Sequence, residues 1–595
     1  MKQSSWSTVV LCIAFLSVSP LQAKTVESRE SVKLHALFDA QWEHELTESP
    51  EFATMLGDDR YSDRWHDGSP QAVAKRKADR LELEQVLKKV NEKKISAEDR
   101  ISLAIMRFQV RNRIELDQVY GDLPFSADDS PFAITQMGGV QMELTPLLRG
   151  TALKTVHDYE MLIHRLDTMP AMLDDTTARL RAGMRSGWMP AAIALQRVPS
   201  QFDPLLMTSL EKNPLFVPFT HFPASIVLSD QQRLSAAARL SIERRAIPAL
   251  TQLQQFLIHD YLPAASQQIA ATELPGKQAY YQARLTASNT TTLTPAEIHQ
   301  IGLNEVAQIE TAMLAVMQES GFKGSAAEFN LFMNSDPQFF FTSADAMLAS
   351  YRDIAKRIDA QLPGQFVTLP RQPYGIRAML PAEGDGPEHY TFGALDGSRA
   401  GFFEANVNNL KRRASWSMED LVLHEAMPGH HLQIARASEL EGLPTFRRSY
   451  RNSGYSEGWA LYAESLGYDL GMYTTPYTRY GFLTSQMFRA CRLVVDTGIH
   501  AFGLSRDEAI HYLMEHAAVT EAFATAEVDR YIVWPGQATA YKLGQLQILA
   551  LRKKAEKALG TRFDVRQFNN QVVDHGGLPL KVLNDVIDQW IVAQH

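Results

Sequence analysis

Cysteine is almost absent from this chain, with two residues in 595. Cys12 lies inside an apolar N-terminal run and follows Leu11, a poor context for lipid attachment. Removal of that run leaves Cys491 alone, so one copy of the remainder has no internal disulfide and must be held by its core. An excess of basic charge is also missing. The formal net charge is -9, which removes the electrostatic drive toward nucleic acid. Beyond the N-terminal run no segment is long and apolar enough to span a bilayer. No period of 20–50 residues marks a solenoid. The composition, 45% apolar and 21% charged, excludes a disordered chain and fits a large globular one.

The N-terminal run itself reads as a secretory signal. Lys2 supplies the basic start, Val9 to Val18 the apolar stretch, and Leu21-Gln22-Ala23 a cleavage site. Residues 1–23 are therefore expected to be removed, and a periplasmic or secreted bacterial protein to begin near Lys24. Cys491 sits in an apolar helical context and is expected to be a buried structural thiol.

Most of the remaining chain reads as helix. Apolar residues recur at helical spacing over Val73–Val90, Asp99–Val119, Val156–Arg185 and Asp230–Tyr261. Thr294-Pro295-Ala296-Glu297 combines an N-cap, a first-turn proline and a capping-box glutamate, opening a helix to about Gly321. Another helix is expected over Ser343–Leu362. A soft boundary near residue 290 separates an N-terminal helical region, 24–290, from a metal-binding region, 291–595. No flexible linker marks it, so two lobes of one body are expected. Between Phe366 and Leu410 the helical period is lost. Tyr390–Gly393 and Gly401–Asn408 read as short strands, which either offer an edge for pairing with a peptide backbone or form a simple packing hairpin.

The densest chemistry lies in Leu421-Val-Leu-His-Glu-Ala-Met-Pro-Gly-His-His-Leu-Gln433, followed by Ser456-Glu-Gly-Trp-Ala-Leu-Tyr-Ala-Glu464. Two imidazoles and a carboxylate make a catalytic zinc set, and a further carboxylate can activate water. Ser417 is placed to cap a helix leading into His424 and Glu425. In a plain H-E-x-x-H motif the second His follows one turn later, about 6 Å along the axis. Here that position is Pro428, so the helix is expected to break or bulge between Ala426 and Gly429. His430 is the preferred second ligand. His431 competes, because i+7 returns to the same face, although an unbroken helix would carry it about 10 Å along the axis. Glu457 is the candidate third ligand. Glu464, two turns on, is placed to hold a ligand from behind. Glu425 is the candidate general base.

At these residues the chain resembles the bacterial family catalogued as domain of unknown function 885. That family's H-E-A-x-P-G-H-H pattern stands at His424–His431, and its E-G-W-A-x-Y-x-E helix at Glu457–Glu464. Glu527-Val-Asp-Arg-Tyr531, Pro535-Gly-Gln-Ala538 and Tyr541-Lys-Leu-Gly544 belong to the same likeness, which takes in most of the chain. The second motif also resembles the E-G-aromatic-A helix of gluzincin aminopeptidases, which implies Glu457 rather than Glu464 as ligand. The helical body is similar to the oligopeptidase and carboxypeptidase branch of gluzincins. That implies a mainly α, two-lobed zincin-like architecture with a small sheet beside the active-site helix. The two residues added between Glu425 and His430 depart from the gluzincin pattern.

Helical gluzincins use a Tyr or His from the C-terminal region to stabilise the oxyanion. The likeness therefore implies Tyr531 or Tyr541, with His500 behind them. Arg530 is a candidate for binding a substrate carboxylate, or for an ion pair with Glu527 or Asp529. Arg489, Arg492 and Asp496 share one helix as a charge network. Asn406 is a candidate for orienting substrate or capping a turn. Lys411-Arg412-Arg413 reads as a solvated turn. The expectation is an exported zinc metallopeptidase acting on oligopeptides. A zinc amidase acting on another amide and a non-catalytic peptide-binding protein are the alternatives.

Overall fold

The structure is a computed structural model that describes residues 28–594 except 208, 381–383, 385 and 394–398. The expected signal segment and Cys12 lie outside the described residues. The protein is mainly helical, with one three-stranded sheet. No helix among the described residues is long and apolar enough to cross a membrane.

The helices start where their caps require. Thr294 accepts from the Glu297 amide while the Glu297 carboxylate accepts from the Thr294 amide, and the helix runs Pro295–Glu319. Ser343 caps Ala344–Asp359. The periodic stretches fold as Pro70–Lys88, Ala97–Tyr120 and Val156–Ser186. The stretch expected over Asp230–Tyr261 is helical from Leu228 but contains π turns at Ile242–Ala246 and Leu257–Tyr261. Pro248 accounts for the first: it has no N–H to donate and its ring crowds the carbonyl four residues back, so the helix widens just before it.

The sheet has the order β1-β3-β2, where β1 is Tyr374–Ala378, β2 His389–Thr391 and β3 Gly401–Ala405. β1 runs parallel to β3, with Ile376 opposite Phe403. β2 runs antiparallel to it, with Tyr390 opposite Phe403. The sequence pattern did not announce β1. The strand expected over Gly401–Asn408 stops at Ala405, because Asn406 turns the chain out of β3.

One hydrophobic core runs from Leu34 to Ile591 and so crosses residue 290. Phe38 of the helix Arg29–Glu48 meets Phe446 at a ring-centroid distance of 5.0 Å. The first helices thus pack onto the half that carries the His-Glu motifs. A separate core fills the middle segment from Ile134 to Tyr261. Cys491 is fully buried in the long helix Pro476–Phe502, and burial pushes its thiol up.

The helices Ser453–Leu466 and Ala540–Leu559 pack at backbone contact. A Cβ on Gly544 would stand 1.8 Å from the Gly454 carbonyl oxygen and 2.7 Å from the Gly458 Cα. Only glycine fits there, and the result is that Glu457 and Tyr541 belong to one packed pair.

Candidate metal centre

The helix Met418–Glu425 ends at the second residue of the His-Glu pair. Its expected cap does not form: the Ser417 hydroxyl donates to the Ala414 carbonyl, 2.9 Å away, because a 3-10 turn at Ser415–Ser417 leads into the helix. Ala426 leaves helical geometry, and a new helix, His430–Ser438, begins after Gly429. A Cβ on Gly429 would lie 1.9 Å from the His424 carbonyl oxygen, so glycine is required where the chain doubles back. The Trp459 indole N–H donates to the Pro428 carbonyl at 2.9 Å and fixes the connection from the second motif. The break turns two residues out of the helical path and sets His430 beside His424, with ring centroids 4.8 Å apart and planes at 89°.

His424, His430 and Glu457 converge, with one ligand atom from each lying within 4.8 Å of the others. Glu457 Oε2 is 3.7 Å from His424 Nε2 and 3.6 Å from His430 Nε2. These separations are too long for good hydrogen bonds. They match the edge of a tetrahedron around one ion with ligands at zinc distances, about 3.4 Å. The donor set therefore fits zinc on both chemistry and spacing. Burial pushes the Glu457 carboxyl up, but the two imidazoles hold it far below the usual carboxylate range. Burial lowers His424, and Glu457 and Glu464 more than reverse this, raising it to about 10.

Glu464 lies behind His424, its Oε1 2.7 Å from Nδ1. That hydrogen bond leaves Nε2 as the free ligand atom. The other Glu464 oxygen accepts from Ser485 and Gln486 at 3.0 and 2.9 Å. Asp420, fully enclosed beside Glu464, is pushed well above the carboxylate range by burial and by the Glu464 charge. Sequence reasoning missed Asp420. Its place one turn before His424 on the same helix face was the available signal.

Glu425 is buried but has no hydrogen-bond partner among the described residues, which leaves both of its oxygens available. Burial raises the nearby Glu388 carboxyl and the Glu425 charge adds to this, while Arg413 lies 2.8 Å from it. Lys411 and Arg412 are exposed, as a solvated turn requires, whereas Arg413 is half-buried against Glu388.

The arrangement places both sequence motifs in one site, the break of the first supported by the tryptophan of the second. The chain belongs to the bacterial DUF885 family, proteins of unknown function. The family match covers residues 50–587. A candidate lipoprotein from Colwellia psychrerythraea has a solved structure that aligns with a TM-score of 0.87 at 27% identity, covering 96% of this chain and 100% of that one. A candidate lipoprotein of unknown function from Shewanella oneidensis shares the fold, with a TM-score of 0.72 at 15% identity over 93% of this chain and 98% of that one. No curated protein matches the sequence.

Other residues singled out in this DUF885 sequence fall elsewhere. His431 is not with the ligands. Its Nδ1 meets the Tyr390 hydroxyl at 2.8 Å and its Nε2 the Gln372 carbonyl at 3.1 Å, so both ring nitrogens are engaged. Burial lowers it to about 4, which keeps it neutral. Asn406 does not face a substrate. It is fully buried, donates to the Gly384 and Gly386 carbonyls and accepts from the Asn408 amide, which ends β3. Tyr531 is also fully buried, its hydroxyl donating to Glu527 at 2.8 Å and accepting from Arg492 at 3.2 Å. Arg530 pairs with Glu527 at 2.9 Å and donates to Gln537 at 2.6 Å, so it braces this network rather than waiting for a carboxylate. His500 spends both nitrogens on backbone, accepting from Ala271 and donating to Tyr531. Asp496 accepts from Tyr281 at 2.6 Å and from the Gly536 amide, apart from Arg489 and Arg492.

Tyr541 differs from these. It is only half-buried, and burial followed by the nearby Glu457 charge pushes its hydroxyl up. The Arg492 guanidinium covers its ring, 4.2 Å from the centroid. Among the three oxyanion candidates, Tyr541 is the one whose hydroxyl proton remains to be given.

Proposed function

We propose that this DUF885 protein is an exported zinc-dependent metallopeptidase that hydrolyses peptide bonds of oligopeptides. The observation that carries the reading is the convergence of His424, His430 and Glu457 next to a buried, unpartnered Glu425. Two imidazoles and a carboxylate leave one position of a tetrahedral ion open for chemistry. Zinc bound there supplies Lewis acidity to the substrate carbonyl and to the attacking water.

The chain's own residues do the rest. Glu425 takes a proton from water as it attacks the carbonyl carbon and delivers that proton to the leaving nitrogen as the C–N bond breaks. Tyr541 donates a hydrogen bond to the oxygen that becomes negative. Glu464 keeps the His424 ring turned to its ligand position, and Ser485 and Gln486 hold Glu464 there. Among the described residues β2 is an edge strand, and that edge is available to align a substrate backbone by strand addition. The two-lobed zincin-like architecture is part of this reading, with residues 291–595 supplying the catalytic groups. Export accords with the candidate lipoproteins of the same fold.

Metal content and peptide cleavage, measured together on the natural chain and on Glu457→Ala, test it. About one zinc per chain, lost together with cleavage in the variant, supports the proposal. Metal without cleavage of any peptide points to another amide bond. No metal in either protein overturns it.

A further inference from the structure

A cavity of about 480 Å³ opens along the helix His430–Ser438. Its walls are apolar, with Trp42, Phe52, Met106, Ile434 and Phe446 among them. Its volume is within the range of small-ligand sites. His430, Gln433, Ile434 and Ala437 are spaced i, i+3, i+4 and i+7, so they line one face of that helix. The face that begins at the metal cluster thus continues into the cavity, over about 4–10 Å of helix axis.

Two further features give the cavity a chemical preference. The first is charge. Arg448 and Arg451 line it and neither has a carboxylate partner among the described residues; Arg451 rests over the Phe392 ring at 5.1 Å. Arg113 also lines the cavity but is neutralised by Glu45 at 3.1 Å. The second is Gln433, which is almost fully buried and whose Oε1 has no hydrogen-bond partner. A buried acceptor left unpaired is costly, and a ligand N–H relieves that cost.

We propose that this cavity is the subsite for the C-terminal residue of a peptide. Its large apolar or aromatic side chain fills the Trp42–Phe446 walls. Its carboxylate meets Arg448 and Arg451, and its backbone N–H donates to Gln433. This rests on the peptidase reading and deepens it. A peptide backbone advances about 3.4 Å per residue, so a span of about 4–10 Å places the scissile bond one to three residues from the free C-terminus. That spacing implies release of short fragments from the C-terminal end.

Binding separates this proposal from the peptidase reading. Calorimetry with the full chain carrying Glu425→Gln would compare N-acetyl-Leu-Phe, its C-terminal amide and 3-phenylpropanoate. The free acid is expected to bind about tenfold tighter than the amide, because a charge-assisted contact is lost in the amide. 3-Phenylpropanoate keeps the ring and carboxylate but has no N–H for Gln433, and it is expected to bind more weakly than the acid. Arg448→Gln combined with Arg451→Gln should abolish the preference for the acid while leaving amide binding within about twofold; both side chains are exposed, so folding is not at stake. An amide that binds as well as the acid, or an acid preference that survives the double substitution, overturns the subsite. Selective acid binding, with no cleavage of any longer peptide by the natural chain, keeps the subsite and overturns the peptidase reading. Cleavage without acid preference does the reverse.

Discussion

The Trp459 indole donates its N–H to the Pro428 carbonyl oxygen, 2.9 Å away. One residue of the second motif thereby holds the broken turn of the first. Trp459 is fully buried, so Trp459→Phe leaves an unsatisfied carbonyl at the break. A loss of about 1–3 kcal/mol is expected in urea unfolding. Metal retention during dialysis against a chelator should fall with it, since His430 begins the helix that this contact positions.

The two adjacent histidines are expected to behave oppositely. His430→Ala should lose bound metal and activity together. His431→Phe should keep its metal, at a stability cost of about 1–3 kcal/mol for the hydrogen bonds to Tyr390 and Gln372. Metal analysis beside thermal melts checks both. Loss of metal in His431→Phe with a native melt would exchange their roles.

Glu425→Gln should retain the metal and lose cleavage by about 10²–10⁴-fold, the usual worth of a general base. Glu464→Gln should keep measurable activity but weaken metal affinity about 10–100-fold, because the His424 ring loses its anionic support. A competition titration against a fluorescent chelator separates the two variants. Equal metal affinity in Glu464→Gln and the natural chain would remove Glu464 from the site.

Acid stability should depend on Glu527. Burial pushes its carboxyl up, but Arg492 and Arg530 pull it down from 4.5 to about 2. Since the folded value lies below the unfolded one, the contribution is complete above pH 4.5 and disappears as pH falls toward 2. Its size is roughly 3 kcal/mol by linkage. Denaturation of the natural chain and Glu527→Gln should therefore show a gap at pH 6 that closes progressively below pH 4.5. A gap that does not change with pH would assign the difference to packing.

Much of this was legible in the sequence, for local reasons. The capping box at Thr294 and the apolar periods set helix starts within a few residues, because those signals act over one turn. Pro428 and Gly429 announced the break, since no regular helix tolerates the pair. What stayed hidden depends on distant partners. Nothing adjacent to His431 tells that Tyr390 and Gln372 will consume its nitrogens, nor that Glu388 will pair with Arg413. Asp420 reads as a helix-start acid, and only burial beside Glu464, which arrives from another helix, raises its carboxyl. Phe38 is an ordinary core candidate in the first helix, but its partner Phe446 lies some four hundred residues on.

Gly544→Ala should be among the most damaging small substitutions. Its methyl would meet the Gly454 carbonyl oxygen at 1.8 Å, backbone against backbone with no side chain to yield. A loss of about 3 kcal/mol or more is expected, at the upper end for overpacking, with reduced metal retention as Glu457 is displaced. An unchanged melt would show that the two helices can part cheaply.

That glycine seam also decides where the molecule can flex. Where two backbones touch directly, no side chain is available to change rotamer and absorb a sliding motion. Glu457 and Tyr541 therefore ride on a stiff floor, and their spacing is set at folding rather than at each turnover. The seam formed by Phe38 against Phe446 is made of rings that can reorient. Admission of a substrate should accordingly deform the roof supplied by the first helices, while the floor under the chemistry stays still.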